Sequence, residues 1–332
     1  MSRARGVAGK LGSMSTEAEA RKTLIDPQLR LAGWRVGDPS HVAEEFQVDG
    51  LADPSGAGMV AESGPAWKRT SLAADYALMN RGRVLAVVEA KRPSSSPRIA
   101  EEQSLTYVRA IQARQGGKLP FLLVSNGHEI WLWESDFYPA VKVLGFPTPD
   151  DLEWMDQRRD QRRPLSVELI NTSIAGRDYQ IQGIRALLES IEKRRRTFLL
   201  VMATGTGKTR TAMALIDVLQ RAHWVRRVLF LVDRIALRDQ AIEAFRDHLP
   251  DSPYWPRVEG EDVESEWASN RRLYCTTYPT MLNLIEAGNT PDTFISPHFF
   301  DLIILDESHR STTGHRSVDS TRPCLSQLVA AV

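Results

Sequence analysis

The sequence is poor in cysteine: Cys275 and Cys324 are the only two among 332 residues. Two cysteines exclude a disulfide framework and a cysteine-based zinc site, and they favour a reducing cytoplasm as the location. Long apolar runs are absent as well, because TFLLVMA and FFDLIILD fall far short of the ~20 residues that cross a bilayer. We therefore expect no membrane partner.

The chain also lacks net charge, since 42 Lys and Arg residues balance 42 Asp and Glu residues. Because the net charge is zero, the charge of the whole chain does not by itself indicate a nucleic-acid partner. A chain of 332 residues is longer than a domain with a single hydrophobic core usually is, so the length predicts about two domains. We expect a disordered tail (1–15), a first domain (16–145), a linker (146–172), a second domain (173–311) and an atypical C-terminal tail (312–332).

The first domain mixes helix and strand patterns. SLAADYALMN and VLAVVEAK predict two strands joined by the turn RGR, and PFLLVSNGHEIWLWES predicts a hairpin around Asn126 and Gly127. Between them, SPRIAEEQSLTYVRAIQARQGG is typical of a helix. We expect a mixed sheet with flanking helices. The following linker stretch contains prolines and runs of Gln, Arg and Asp, which predict a loosely packed connection.

In the second domain, strands that are apolar throughout alternate with helices, as in RTFLLVM, GKTRTAMALIDVLQRA, RVLFLVD and DLIILD. This alternation predicts an α/β fold whose parallel sheet is covered by helices on both sides.

A phosphate-binding loop is the strongest motif of the chain. LLVMATGTGKTRTA runs from an apolar strand through a glycine-rich turn into a helix, where backbone N–H groups can wrap a phosphate chain. Lys208 would reach the β- and γ-phosphates of ATP, and the Thr209 hydroxyl would hold Mg²⁺. Met202 stands where the strict pattern has a further glycine. The predicted nucleotide-binding residues of the loop are Thr204, Gly205, Thr206, Gly207, Lys208 and Thr209.

An acid pair follows another apolar strand in FFDLIILDESHRS. Asp306 would bind the Mg²⁺ of the nucleotide and Glu307 would polarise the attacking water, because parallel strands present their carboxyl ends at one edge of the sheet. Alone, such a pair is typical of a helix cap. Together with the upstream loop it predicts an ATPase site.

This half of the chain resembles the first RecA-like lobe of superfamily 2 helicases and translocases, with DESH in place of the DEAD/DEAH box. The resemblance implies that RDYQIQGI recognises adenine, with Tyr179 stacking on the base and Gln180 hydrogen-bonding to it. It also implies contacts to DNA phosphates from Arg234, Thr276 and Thr277, which by themselves are polar residues at strand ends.

The first domain carries an E-x-K pattern at the end of RVLAVVEAK. If RGR is a three-residue loop with Asn80 opposite Val84, then Asp75 lies directly across from Glu89, and Lys91 shares their face. Two carboxylates and an ammonium suit Mg²⁺ and a phosphodiester: Asp75 and Glu89 would hold the metal, and Lys91 would activate the attacking water. The alternative is a structural salt bridge on an exposed sheet face.

These residues resemble the D…E-x-K arrangement of PD-(D/E)XK nucleases. Gln103 and Tyr107 match the Q-x-x-x-Y pattern of the RecB-like branch, which implies DNA binding or support of the site, although helix-surface packing would explain them equally. Glu44 or Glu45 is a further candidate acid for the metal site, or simply an exposed residue.

A nuclease followed by a motor lobe resembles the R subunit of type I restriction enzymes, and the motifs occur in that order between residues 16 and 311. The resemblance implies ATP-driven translocation along double-stranded DNA, cleavage remote from the recognition site, and assembly with methyltransferase and specificity subunits.

The C-terminal end departs from that family. TTGHRSVDSTRPCLSQLVAAV has no S/T-A-T motif and no helix or strand pattern, and no second lobe with an arginine finger follows it. We expect a truncated or frame-shifted product that binds nucleotide weakly and hydrolyses it poorly. Two other interpretations stay open: a helicase-like DNA repair ATPase whose front domain only binds DNA, and a non-catalytic remnant.

Overall fold

The computed structural model describes residues 17–48, 72–92, 101–134, 140–256, 271–288, 294–306 and 328–331. The tail predicted over residues 1–15 lies outside this part of the chain. Within it, the strands form two sheets of six, one before and one after residue 145. No helix in the described ranges combines the length and the apolar character needed to cross a membrane.

The first sheet is mixed, as predicted. Its strands lie side by side in chain order, and all neighbours are antiparallel except the third and fourth, which are parallel. They are β1 Val42–Val48, β2 Leu72–Asn80, β3 Arg83–Ala90, β4 Phe121–Ser125, β5 Ile130–Trp133 and β6 Val141–Val143.

Helices cover both faces of this sheet. On one face, α3 (Glu101–Gln115) connects the parallel strands β3 and β4 and packs Val108 and Ile111 against Val87. On the other face lie α1 (Glu17–Ala20), a π-helical turn (Arg21–Ile25) and α2 (Asp26–Leu31). The buried side chains of Ile25 and Leu29 join Tyr76 and Val88 in the core there.

The turn between β2 and β3 is shorter than predicted. Arg81 and Gly82 form a two-residue connection in which both φ angles are positive, at 49° and 76°. This combination is that of a type I′ turn, whose twist matches antiparallel strands. The turn pairs Asn80 with Arg83, so the expected three-residue loop with Asn80 opposite Val84 is wrong.

A β-bulge restores the predicted register beyond that turn. Met79 pairs with Val84, but Leu78 pairs with Ala86, so Leu85 is an extra residue on β3. Leu85 and Ala86 consequently pack in the same core cluster. Beyond the bulge the strand alternates regularly again, and each of its residues faces the side opposite to the one that an unbulged two-residue hairpin would give.

The stretch predicted as a loose linker contains a helix, α4 (Pro149–Gln161). Thr148 and Asp151 form a capping box at its start. Leu152 and Met155 are buried in the core of the first sheet, and a short 3₁₀ turn (Leu165–Val167) follows. The prediction of a loose connection is wrong because Asp156 and Arg158 of this helix are buried and pair with side chains of opposite charge.

The second sheet is parallel, as predicted, in the order β7-β12-β11-β8-β10-β9. Its strands are β7 Thr197–Leu199, β8 Val228–Val232, β9 Tyr254–Trp255, β10 Leu273–Thr277, β11 Leu302–Leu305 and β12 Leu328–Ala331. The helices are α5 Asp178–Glu192, α6 Lys208–Arg221, α7 Ile235–His248 and α8 Tyr278–Ala287. The strands β8 and β10 are buried along their whole length, as full coverage by helices requires.

Two features of this sheet differ from expectation. β7 is an edge strand of the described sheet rather than a buried one, and its residue Leu199 is 69% exposed. The C-terminal stretch, expected to lack a strand, supplies β12, which lies between β7 and β11. Its apolar run LVAA is too short for the sequence pattern to predict a strand. It forms one because the two neighbouring strands supply hydrogen-bond partners on both sides.

Candidate functional site

The register of the hairpin brings the predicted acid pair together. Tyr76 pairs with Val88, so the next positions outward are Asp75 and Glu89. Asp75 Oδ2 accepts a hydrogen bond from the backbone N–H of Ala90 at 2.7 Å, and Glu89 Oε1 accepts one from Lys91 Nζ at 2.8 Å. All three predicted residues therefore meet at one end of the sheet, where their side chains are largely buried.

The backbone holds Lys91 beyond the end of β3. Its N–H donates to the carbonyl of Ser125 at 2.8 Å, which continues the parallel pairing with β4 by one residue. Glu89 shares its face with Val87, which packs under α3. Lys91 is thus held in place both by its backbone N–H and by its side-chain ammonium group.

Gln103 and Tyr107 lie in the N-terminal half of α3. The Gln115 side chain at the other end of this helix bonds to the N–H and the carbonyl of Val84 at the start of β3. The helix therefore runs antiparallel to β3, and its N-terminal half lies toward Glu89. The side chains of Gln103 and Tyr107 are outside the described residues.

Arg21 is part of this site and was not predicted. Its Nη1 donates to Asp75 Oδ1 at 3.2 Å and its Nη2 to the Asp75 carbonyl at 3.3 Å. The guanidinium lies 4.9 Å from the centre of the Tyr76 ring, and the Tyr76 hydroxyl donates to Asp26 Oδ1 at 2.6 Å. Nothing in the local sequence distinguishes Arg21 from the other basic residues of the first helical stretch.

Two pKa shifts follow from this packing. Burial lowers the pKa of Arg21, but the hydrogen bond with Tyr76 and the charge of Asp75 outweigh burial and raise it. Burial and the hydrogen bond to Asp26 raise the pKa of Tyr76. Arg21 is therefore a permanent cation beside the acid pair.

The donor set fits Mg²⁺ in chemistry. Mg²⁺ is usually bound through one or two carboxylates together with waters and substrate phosphates, and Asp75 and Glu89 supply two carboxylates. No cluster of three or more His, Cys, Asp or Glu residues that could hold a metal occurs among the residues that the structure describes. Two carboxylates would leave the remaining ligand positions of Mg²⁺ to waters and to oxygens of the substrate. Glu45, the alternative acid, contacts Arg21 at 3.6 Å and is mostly exposed.

The phosphate loop has the backbone that its sequence requires. Gly205 and Gly207 have positive φ angles of 79° and 86°, and Gly207 is the N-cap of α6. A Cβ atom on Gly207 would lie 2.6 Å from Gln180 Nε2. A side chain at this position would therefore strain the backbone and also displace the Gln180 side chain from its place against the loop.

Tyr179 and Gln180 brace this loop from α5. The Tyr179 hydroxyl donates to the Thr206 carbonyl at 2.8 Å, and Gln180 Nε2 donates to the same carbonyl at 3.1 Å. Thr206 Oγ1 donates in turn to the Ala203 carbonyl at 2.5 Å. The two residues implied in adenine recognition thus also fix the conformation of the phosphate loop.

The remaining predicted ATPase residues lie at the carboxyl ends of strands. Lys208 and Thr209 begin α6, and Thr204 precedes the two loop glycines. Asp306 follows β11, and its N–H donates to the Leu231 carbonyl at 2.9 Å. Glu307 lies outside the described residues.

The predicted DNA-contact residues differ in exposure. Arg234 caps α7 and its side chain is largely exposed, so it is accessible to a phosphate. Thr277 caps α8, and its hydroxyl pairs with that of Thr280 at 3.0 Å. Thr276 is only 2% exposed, which favours a packing role over direct contact.

Sequence comparison agrees with the second sheet and its loop. Residues 173–329 match the family model described as "Type III restriction enzyme, res subunit". The second unit is therefore similar to this family.

Curated relatives extend the likeness to the first sheet. The chain is 27% identical over 318 residues to the type I restriction enzyme EcoAI endonuclease subunit of Escherichia coli. That alignment covers 91% of this chain and 36% of the relative. It is 26% identical over 356 residues to the type I restriction enzyme EcoKI endonuclease subunit of E. coli strain K12, and this alignment covers 90% of this chain and 29% of the relative. The chain thus spans about a third of the length of these curated relatives.

A solved structure with similarity along most of the chain is a fragment assigned to the HsdR subunit of a type I restriction enzyme from Vibrio vulnificus YJ016. It is 25% identical, and the alignment covers 96% of this chain and 55% of that one, with a TM-score of 0.33.

Proposed function

We propose that this chain carries the nuclease domain (16–145) and the first motor lobe (173–311) of an ATP-dependent DNA endonuclease and translocase subunit of a type I restriction system. The hydrogen bond from Ala90 N–H to Asp75 Oδ2 is the observation that carries the proposal. It brings Asp75 next to Glu89 and Lys91, in a chain that also contains an ATPase-type loop. The alternative, a structural salt bridge on an exposed sheet face, fits less well, because the side chains of Asp75, Glu89 and Lys91 are only 18%, 12% and 23% exposed.

In the nuclease domain, Asp75 and Glu89 would hold Mg²⁺. Bound Mg²⁺ supplies Lewis acidity and a more acidic water at the phosphodiester. Lys91, held by Glu89 and by its backbone bond to Ser125, would orient the attacking water and stabilise charge that develops at phosphorus. Gln103 and Tyr107 would support the site or contact the DNA.

In the motor lobe, the loop residues Thr204 to Gly207 would bind phosphates through their N–H groups, and Lys208 would neutralise the β- and γ-phosphates. Thr209 and Asp306 would hold the Mg²⁺ of the nucleotide, and Glu307 would polarise the attacking water. On the adenine side of the loop, Tyr179 and Gln180 would complete the site. Arg234 and Thr277, with Thr276 packed behind them, would face the DNA backbone.

Double-stranded DNA is the proposed substrate, and the methyltransferase and specificity subunits of a type I complex are the proposed partners, in the cytoplasm. The named relatives are endonuclease subunits of such enzymes, which supports this assignment. Sequence recognition would then reside in another subunit, as the resemblance to the R subunit of type I restriction enzymes implies.

The nuclease proposal is tested by Mg²⁺-dependent nicking of a supercoiled plasmid. We expect the chain to nick it with Mg²⁺ and not with EDTA, and Lys91→Ala to abolish nicking. Lys142→Ala is the matched control, because Lys142 of β6 forms a partly exposed pair with Glu129, which precedes β5. Persistent DNA binding without cleavage would favour the alternative, a DNA repair ATPase with a DNA-binding front domain.

The motor proposal is tested by nucleotide binding and DNA-stimulated ATP hydrolysis. We expect fluorescent ATP analogues to bind and Lys208→Ala to weaken binding at least about tenfold, since it removes the cation that meets the phosphates. Lys193→Ala serves as the control, because Lys193 forms an exposed pair with Glu189 on α5. Absence of Lys208-dependent binding and hydrolysis would leave the interpretation as a non-catalytic remnant.

A further inference from the structure

Arg21 occupies a defined place beside the candidate metal ligands. Its Nη1 lies 3.2 Å from Asp75 Oδ1 and 3.6 Å from Glu45 Oε1. Its Nη2 donates to the Asp75 carbonyl, so the guanidinium hydrogen-bonds to both the side chain and the backbone of that residue. The Tyr76 ring lies against it. A cation held by this many contacts is part of the electrostatics of the site.

Glu45 extends the row of acids by one strand. The β1–β2 ladder pairs Glu44 with Tyr76 and Phe46 with Ala74, so Glu45 lies opposite Asp75. It has a positive φ of 48°, a conformation that non-glycine residues rarely adopt within a strand. Strained residues of this kind cluster at functional sites. Asp75 is therefore flanked by an acid on each neighbouring strand.

Charges of both signs alternate at this site. Glu45, Asp75 and Glu89 contribute carboxylates, and Arg21 and Lys91 contribute cations. A divalent cation adds positive charge beside Arg21, and a phosphodiester adds a negative charge that offsets it.

Largely buried charges are costly unless they are compensated. The side chains of Arg21 and Asp75 are only 15% and 18% exposed, which limits the screening of Arg21 by water. A metal that arrives without DNA must therefore overcome repulsion from a fixed cation near its ligands. A metal that arrives with a phosphodiester does not, because the phosphate offsets that cation.

We propose that Arg21 makes metal binding at the Asp75–Glu89 site depend on the presence of a DNA phosphate. Arg21 acts as a positioning and electrostatic residue: it lowers metal affinity in the DNA-free site and is neutralised when the phosphodiester binds. This inference rests on the proposed nuclease function. Its consequence is a nuclease that carries little metal until DNA reaches it.

The test is calorimetric titration of the full chain with Ca²⁺, which takes the same oxygen ligands, with and without a short DNA duplex. Subtracting the heat of the Asp75→Asn variant isolates binding at this site from any binding at the nucleotide loop. We expect the unmodified chain to bind Ca²⁺ more tightly with duplex than without it. Arg21→Gln should bind Ca²⁺ roughly tenfold more tightly without duplex and should lose most of the duplex effect.

Two further variants keep the inference falsifiable if Arg21→Gln folds poorly. Arg21→Lys retains the charge and should retain the duplex dependence. Glu45→Gln changes an exposed side chain, removes one negative charge, and should shift Ca²⁺ binding in the opposite direction, to weaker binding without duplex. Arg30→Gln is the matched control, because Arg30 is an exposed arginine of α2 that contacts Asp26 instead.

The outcomes separate this inference from the proposed function. If the unmodified chain shows no Ca²⁺ binding beyond that of Asp75→Asn, with or without duplex, the metal site itself fails. If Asp75-dependent binding is present but unchanged or weaker in Arg21→Gln, with Glu45→Gln also unchanged, Arg21 is a structural residue only. In that case the inference is overturned while the nuclease proposal stands.

Discussion

Arg158 of α4 donates from Nη1 to Asp301 Oδ1 at 3.0 Å, and this bond joins the helix between the two sheets to the sheet of the second unit. Asp301 also accepts from Trp154 Nε1 at 2.8 Å and from the backbone N–H groups of Arg226 and Arg227 at 2.8 and 3.0 Å. One buried carboxylate thus receives four hydrogen bonds from two parts of the chain. On its other side, Arg158 lies 3.8 Å from Glu134, which follows β5 of the first sheet.

We predict that Asp301→Ala lowers the free energy of unfolding by about 3–5 kcal/mol, since it leaves the buried Arg158 without its closest counter-charge. Urea denaturation followed by tryptophan fluorescence measures this loss. Asp150→Ala is the matched control, because Asp150 pairs with Arg226 and Arg227 from a largely exposed position and should cost less than about 1 kcal/mol. Equal losses in the two variants would contradict a special role of the buried carboxylate.

The second prediction concerns pH. His298 Nε2 lies 3.1 Å from the Gly145 carbonyl, which can only accept, so the neutral ring donates this bond. Burial lowers the pKa of His298 below its ordinary value of 6.5, although the charge of Asp151 opposes this shift. Below pH 6.5 the unfolded chain gains a proton on this residue that the folded chain does not. The contribution of His298 to the free energy of unfolding is therefore fully present above pH 6.5 and is lost as the pH falls below that value.

Accordingly, the free energy of unfolding should decrease from pH 6.5 downward by at most about 1.4 kcal/mol per pH unit from this residue. His298→Gln should be less stable at neutral pH and show a flatter profile in the same window. The exposed His128 provides the control variant His128→Gln, whose profile should follow that of the unmodified chain. An unchanged slope in His298→Gln would rule out His298 as the source.

The third prediction distinguishes the two loop glycines. Gly205→Ala meets no atom within 4 Å and is strained only by its positive φ, whereas Gly207→Ala also clashes with Gln180 Nε2 at 2.6 Å. Fluorescent ATP binding should therefore weaken more in Gly207→Ala than in Gly205→Ala. Because Gln180 itself belongs to the proposed ATP site, Gln180→Ala alone is the reference: against it, Gly207→Ala should cost less ATP affinity than it does in the unmodified chain, whereas Gly205→Ala should cost the same in both backgrounds. An equal cost of Gly207→Ala in both backgrounds would argue against the steric explanation.

The fourth prediction concerns Cys275, which is a fully buried residue of β10. Burial raises the pKa of its thiol, and the thiolate is the reactive form. In a Cys324→Ser background, a thiol reagent should label the folded chain more than about a hundredfold more slowly than the urea-unfolded chain, because labelling requires opening of the sheet. Fast labelling under native conditions would show that β10 opens locally.

Local patterns predicted much of the fold and of the candidate sites. The glycine-rich loop before α6, the apolar strands of a parallel sheet and the hairpin at Asn126 and Gly127 all depend on neighbouring residues, and the structure confirms them. The pairing of Asp75 with Glu89 was predicted with the right register for a partly wrong reason. A two-residue turn and a bulge at Leu85 produce it, instead of a three-residue loop.

The sequence by itself determined which residue types were available for chemistry: an acid pair with a lysine on adjoining strands, and a phosphate loop with an acid at a strand end. Only the tertiary structure decided that Arg21, 54 residues from Asp75, lies beside that acid, and that Asp301 binds a helix expected to be a loose linker. The physical reason is range. Turn, strand and helix preferences act over a few residues, whereas the position of a buried charge depends on which distant partner can compensate it.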